Sequence, residues 1–181
     1  MSEPNLPRIA AIQQGYFRTD QALQAGLTRR ALRRATERGQ IESISYGLYR
    51  FAHFPSTTLD ELYEIQTLSP TGTFSHETAL QLYELSDLLP RTTHFSIPPN
   101  SGFKPRPGMT IHHTAIDNSD RTLRQGLWLT SLPRTLRDCA KAGVDPEQLL
   151  SAARQASQRA LITPDEMKLL HSIYPYSLLA S

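Results

Sequence analysis

The sequence predicts an α+β protein: an N-terminal winged helix-turn-helix followed by a small mixed α+β domain. Three observations carry this. Two capped helical segments meet at the turn "AGLT". The second is crowded with arginine and runs straight into a short hairpin, "QIESISYGLYRF". Beyond it, helical and extended patterns alternate to the end of the chain. The expected domains are residues 1–52, a winged helix-turn-helix, and residues 57–181, an α+β domain, with "AHFPST" as the linker.

The head reads as three helices and a hairpin. "LPRIAAIQQ" has Pro7 near its start and Gly15 at its end, the usual asymmetry of helix termini. "GYF" is a short extended link. Thr19 is the expected cap of "DQALQA", with Asp20 suited to the positive end of the helix dipole, and Gly26 stops that helix. Thr28 is the next cap. From Arg29 to about Arg38, helical periodicity of about 100° per residue places Arg29, Arg30, Arg33, Arg34 and Glu37 on one arc. Ala31, Leu32 and Ala35 take the opposite arc. One side can therefore pack while the other projects guanidinium groups. Gly39 ends the helix, and two short strands flank Ser45, Tyr46 and Gly47.

The second domain opens with the helix "TTLDELYEIQTL", broken by "SPTGTF". Ser75 is the expected cap of "SHETALQLYEL". "THFSIP", "MTIHHTAI" and "GLWLTS" read as strands, and "NSGFKPRPG" as an exposed loop held open by Pro105 and Pro107. "LPRTLRDCAKAG" is a helix with Arg134 and Asp138 as an i,i+4 pair. "DPEQLLSAARQASQRA" follows, with Asp145 as cap and Pro146 at its first position, and "TPDEMKLL" repeats that start signal.

Composition bounds the function. A chain of 181 residues with 39% hydrophobic content can bury a core. No apolar run reaches the roughly 18 residues of a membrane span, and the N-terminus lacks a signal peptide's apolar centre. A cytoplasmic location is expected, in accord with a single cysteine, Cys139, read as a buried structural thiol. The net charge of +2 hides an asymmetry: residues 1–50 hold eight arginines against four acids, while the remainder is slightly acidic. A basic head on an acidic body points to an anionic partner for the head.

Duplex DNA fits that partner. Its phosphates are met by Lys and Arg, and its bases are read in the major groove, with arginine on guanine the commonest pairing. The expected DNA-binding residues are Thr28, Arg29, Arg30, Arg33, Arg34 and Arg38 on the helix and Tyr46 and Arg50 on the wing. Glu37 counts mildly against this unless it contacts a cytosine amino group.

Other chemistries are thinner. His112 and His113 are adjacent on a strand and point to opposite faces, while His53 and His94 are isolated in sequence. No metal site and no cofactor are expected. Ser75, His76 and Glu77 are consecutive, and a catalytic triad needs convergence in space rather than in sequence. The protein is expected not to be an enzyme. A site around Ser75, His76 and His113 is the one catalytic alternative.

Three stretches carry a family resemblance: "GYFRTDQALQAGLTRRALRRATERGQIESISYGLYRF", "FSHETALQLYELSDLLP" followed by "THFSIP", and "GLWLTSLPRTLRDCAKAG". Together they resemble the AbiEi-family antitoxins of type IV toxin–antitoxin systems, also described as AbiEi-like transcriptional regulators. The resemblance implies a winged-helix head that binds inverted repeats upstream of its own operon and represses it. It implies a C-terminal domain that opposes a nucleotidyltransferase-like toxin, typically without a stable complex. Thr28, Arg29, Arg30, Arg33 and Arg34 match the recognition helix, and Tyr46 and Arg50 the wing. No residue of the C-terminal domain is assigned an antitoxin role. Related heads also occur on chains with a nuclease-like extension, and none is expected after "TPDEMKLL". Two further readings stand beside this one: an antitoxin that neutralises a protein partner directly, and a solitary regulator without a toxin.

Overall fold

The computed structural model describes residues 5–85 and 90–173, with the side chains of 169–173 left aside. Residues 1–4, residues 86–89 of the second resembling stretch, and residues 174–181 of the expected second domain lie outside the described residues. The protein is mixed α+β and divides into two compact units. One takes the chain as far as Pro70 together with Gln125–Leu127, and the other takes Thr71–Arg124 and the chain from Trp128 onward.

In the first unit, α1 (Leu6–Ile12), β1 (Tyr16–Arg18), α2 (Thr19–Gln24) and α3 (Arg29–Glu37) precede β2 (Ile41–Ser45), β3 (Leu48–Phe51) and α4 (Asp60–Leu68). The "GYF" link is a strand in its own right. β1 pairs antiparallel with β3, which pairs antiparallel with β2, in the order β1-β3-β2. Leu6, Ala10, Phe17, Ala22, Leu32 and Ile41 form the core, one or two from each early element. Burying each larger aliphatic side chain contributes about 1.5–3 kcal/mol.

Residues 52–57 are not a free linker. The Arg50 guanidinium donates to the Pro55 carbonyl (2.6 Å) and to Ser56 Oγ (3.3 Å), which straps this segment to β3. The compact unit accordingly runs through α4 rather than stopping at residue 52.

The second unit holds β4 (Thr73–Phe74), α5 (His76–Leu82), β5 (Thr93–Ile97), β6 (Met109–His113), a 3₁₀ turn (Asn118–Asp120) and β7 (Arg121–Arg124). β8 (Leu127–Thr130), α6 (Leu132–Lys141), α7 (Pro146–Gln158) and α8 (Pro164–Ile173) follow. The sheet order is β6-β5-β4-β8-β7, with β5 and β6 parallel, β4 and β5 antiparallel, and β4 and β8 parallel. The segment read as a break, "SPTGTF", thus supplies the central strand. Two residues suffice there because Phe74 is fully buried and its ring lies 4.8 Å from that of Phe95. Cys139 is fully buried, as expected of a structural thiol, and burial pushes its pKa up to about 12.

The histidines depart from the sequence expectation. Parallel pairing sets Ser96 opposite His112, so His94 and His112 share one face of the sheet while His113 points away. His76, at the start of α5, lies against them, its ring 3.8 Å from that of His112. The isolated residues of the sequence are a cluster in space.

Close approach requires glycine at position 72, where a Cβ would collide with the Phe95 ring, whereas one on Gly102 would meet nothing within 4 Å. Gly72→Ala is therefore expected to destabilise the second unit by about 1–3 kcal/mol, the usual cost of overpacking. Chemical denaturation followed by circular dichroism checks this, with Gly102→Ala expected to leave the midpoint unchanged.

Candidate nucleic-acid interface

The candidate surface is built on the α2–turn–α3 segment. α2 is capped by Arg18 rather than Thr19: the Gln21 side chain accepts from the Arg18 backbone N–H at 2.8 Å. Thr19 serves the hairpin instead, its N–H donating to the Gly47 carbonyl at 2.9 Å. That bond fixes the hairpin turn against the start of α2. The Arg18 guanidinium is committed to Asp20 (2.9 Å) and to the Thr67 carbonyl (2.8 Å).

The turn after α2 closes through Gly26 at φ +83°, a conformation that glycine alone adopts freely. Leu27 N–H then donates back to the Ala22 carbonyl at 3.0 Å. Thr28 caps α3 as expected, its Oγ1 accepting from Ala31 N–H at 3.1 Å. Substituting such a cap by alanine typically costs about 0.5–2 kcal/mol.

Leu32 is 3% exposed and sits in the core, with Ala35 packed beside it. Arg29, Arg30, Arg33, Arg34 and Arg38 are all exposed. Of these, Arg33 makes an ion pair with Glu37 (2.9 Å, i,i+4), which is solvent-exposed on both sides. Such a pair contributes only about 0.3–0.5 kcal/mol. Tyr46 is fully exposed at the hairpin tip. A cleft of about 560 Å³ separates the tip from α3, lined by Thr19, Arg29 and Tyr46 among others. Ser43 and Ser45, which no motif singles out, also line it. The other side of α3 borders a larger apolar groove, about 670 Å³, with Leu27, Ala31 and Phe51 in its wall. From α3, Arg29 and Leu32 line the hairpin cleft, whereas Ala31, Leu32 and Ala35 line the groove on the opposite flank.

Arg50 is not on this surface. Strand alternation sets it on the same inner side as Leu48, and it is 6% exposed. Its guanidinium lies 5.1 Å from the centre of the Tyr16 ring and 3.6 Å from the Asp60 carboxylate, in addition to its bonds to Pro55 and Ser56. Burial raises the Tyr16 phenol to about 12, an effect that the Arg50 charge opposes. The alternation Leu48–Arg50 in the sequence was the available signal for this inward position.

Residues 5–52 match the family model of the AbiEi antitoxin transcriptional regulators. The match spans α1 to β3 and includes every residue of the candidate surface. It agrees with the resemblance read from the sequence and covers about a quarter of the chain. No curated protein matches the chain. No helix among the described residues is long and apolar enough to cross a membrane.

Within the AbiEi-matched segment, Arg50 is expected to support folding and Tyr46 is not. Arg50→Ala removes charge-assisted hydrogen bonds worth about 1.5–3 kcal/mol each and should lower the thermal midpoint clearly. Tyr46→Ala should leave it unchanged. Differential scanning calorimetry of the two variants checks both.

Proposed function

We propose that the first unit is a winged helix-turn-helix and that the protein is a DNA-binding transcriptional autorepressor and antitoxin of a type IV toxin–antitoxin system. The observation that carries this is the exposed arginine face of α3, beside an exposed hairpin tip, inside a segment that matches antitoxin transcriptional regulators. In this reading α3 enters the major groove of duplex DNA. Its N-terminus, where recognition helices meet base edges and phosphates, carries Thr28 and Arg29. The hairpin is the wing, and Tyr46 reaches backbone or minor groove. Arg50 positions the wing from inside instead of touching DNA.

Arg29 and Arg33 are the proposed base-reading residues, and Arg30 and Arg34 the phosphate anchors, with Arg38 extending the basic surface. Arg33 must release Glu37 to read a base. That loss of about 0.3–0.5 kcal/mol is small against the 1–3 kcal/mol, roughly, of a bidentate contact. The operator is an inverted repeat upstream of the gene. The second unit opposes a nucleotidyltransferase-like toxin without a stable complex. The activity is regulatory rather than enzymatic and takes place in the cytoplasm.

Fluorescence anisotropy with the upstream duplex and a scrambled duplex tests the assignment. Arg29→Ala and Arg33→Ala should each cost about 1–3 kcal/mol on the upstream duplex and relax its preference over the scrambled one. Arg30→Ala and Arg34→Ala should weaken both duplexes alike and flatten the salt slope by about 1. The exchanged pattern would overturn the roles. Equal binding of both duplexes by the unaltered protein would overturn sequence-specific regulation itself.

A further inference from the structure

The second unit carries a feature that DNA binding does not use. His76, His94 and His112 come from α5, β5 and β6 and each offers a ring nitrogen within 4.8 Å of the others. Their nearest approach is between His94 Nδ1 and His112 Nε2, at 3.0 Å. The rings are stacked, with centroid separations of 3.8, 5.3 and 5.5 Å. Three imidazoles from three separate elements thus converge, and imidazole is the commonest protein ligand of a transition-metal ion.

The neighbours aim these rings. Glu77 Oε2 lies 3.2 Å from His94 Nε2 and accepts from it; His94 Nδ1 then accepts from His112 Nε2 at 3.0 Å, a hydrogen bond that a bound metal ion would replace on loss of that proton. A carboxylate on the outer nitrogen of a histidine is the recurrent second support of a metal ligand. His76 Nδ1 is hydrogen-bonded to Ser75 Oγ at 3.0 Å, and Ser75 Oγ accepts from Ser96 Oγ at 2.8 Å. Nε2 is then the nitrogen that His76 would offer a metal ion. The His76 backbone sits at φ +52°, a left-handed conformation that is uncommon for a bulky residue and that recurs at binding sites.

We infer that His76, His94 and His112 form a binding site for a borderline divalent transition-metal ion of the zinc class. Imidazole nitrogens favour such ions over magnesium or calcium, which take oxygen ligands. In a tetrahedral site with metal–nitrogen bonds of about 2.0–2.1 Å, ligand nitrogens stand about 3.4 Å apart. The His94–His112 pair is near that spacing, and binding requires the stacked rings to turn so that their in-plane lone pairs meet at one ion. Three protein ligands leave a fourth position open. A pocket of about 320 Å³ adjoins His76 and His112, with Thr114, Asp138 and Lys141 in its wall, and admits water to that position.

Charge favours a cation here over an anion such as phosphate. Arg134 faces the pocket, but its guanidinium is held by Asp120 at 2.7 Å and by Asp138 at 2.8 Å. Glu77 is spent on His94. Among these groups the acids Glu77, Asp120 and Asp138 outnumber the bases Arg134 and Lys141.

Cobalt(II) titration of the full chain tests the site, using protein purified without a histidine tag and stripped with chelator. Visible absorption should saturate at one ion per chain, and zinc(II) should displace it. His94→Gln and His112→Gln should each abolish the cobalt spectrum while circular dichroism stays native. Glu77→Gln should weaken binding about 10–100-fold, as loss of such a support does elsewhere. His113→Gln, on the opposite face, should bind as the unaltered protein does. If a ligand variant fails to fold, the comparison of Glu77→Gln with His113→Gln decides. The inference is overturned if the unaltered protein shows no saturable binding, or if His113→Gln loses as much affinity as Glu77→Gln. It is also overturned if inorganic phosphate raises the thermal midpoint while cobalt and zinc do not, which would make the cluster an anion site.

Discussion

Leu32 is buried in a helix that otherwise displays arginine, and that one fixed orientation governs the first unit. With Leu32 in the core among Phe17, Ala22 and Ile41, α3 has no rotational freedom left. At about 100° per residue, an inward Leu32 carries Ala31 and Ala35 toward the packed side, and the arc of Arg29, Arg30, Arg33 and Arg34 points to solvent. The arginines are outward because the apolar residues have nowhere else to go. Packing in the core thus sets the direction of charge at the surface, and the Thr28 cap sets where along the helix that charge begins.

The hairpin depends on a second, smaller set of constraints. Its turn is tied to α2 through the Gly47 carbonyl and the Thr19 N–H. Its inner strand is tied to the segment beyond it through Arg50. A buried guanidinium is costly unless its charge is met: Asp60 balances the charge and Pro55 and Ser56 accept from its two terminal nitrogens, while Nε is left without a partner among the described residues. Arginine on this strand is structural and arginine on α3 is exposed, although both lie in the same basic stretch of sequence.

That contrast marks how far the sequence could be read. The α2–turn–α3 segment was legible because its signals are local: a cap at Thr28, a glycine at position 26, a 3.6-residue period through Ala31, Leu32 and Ala35. The start of α7 was legible for the same reason, with Asp145 accepting from Gln148 N–H as its spacing suggests. Arg50 was misplaced because its partner Asp60 belongs to the next helix, and only tertiary packing brings the two together. β4 was missed because two residues carry no period, and its strand character comes from neighbours on both sides. The histidine cluster was invisible for a related reason. His94 and His112 are eighteen positions apart and meet only once the register of two parallel strands is fixed.

In the proposed function, α3 and the hairpin tip together form one DNA-binding face. Amide chemical-shift mapping by nuclear magnetic resonance, with the upstream duplex titrated into labelled protein, reads that face directly. The largest shifts should fall on residues 28–38 and 43–47, with Arg50 and the histidine strands little affected. Shifts concentrated instead along the apolar groove at Leu27, Ala31 and Phe51, or in the second unit, would contradict it.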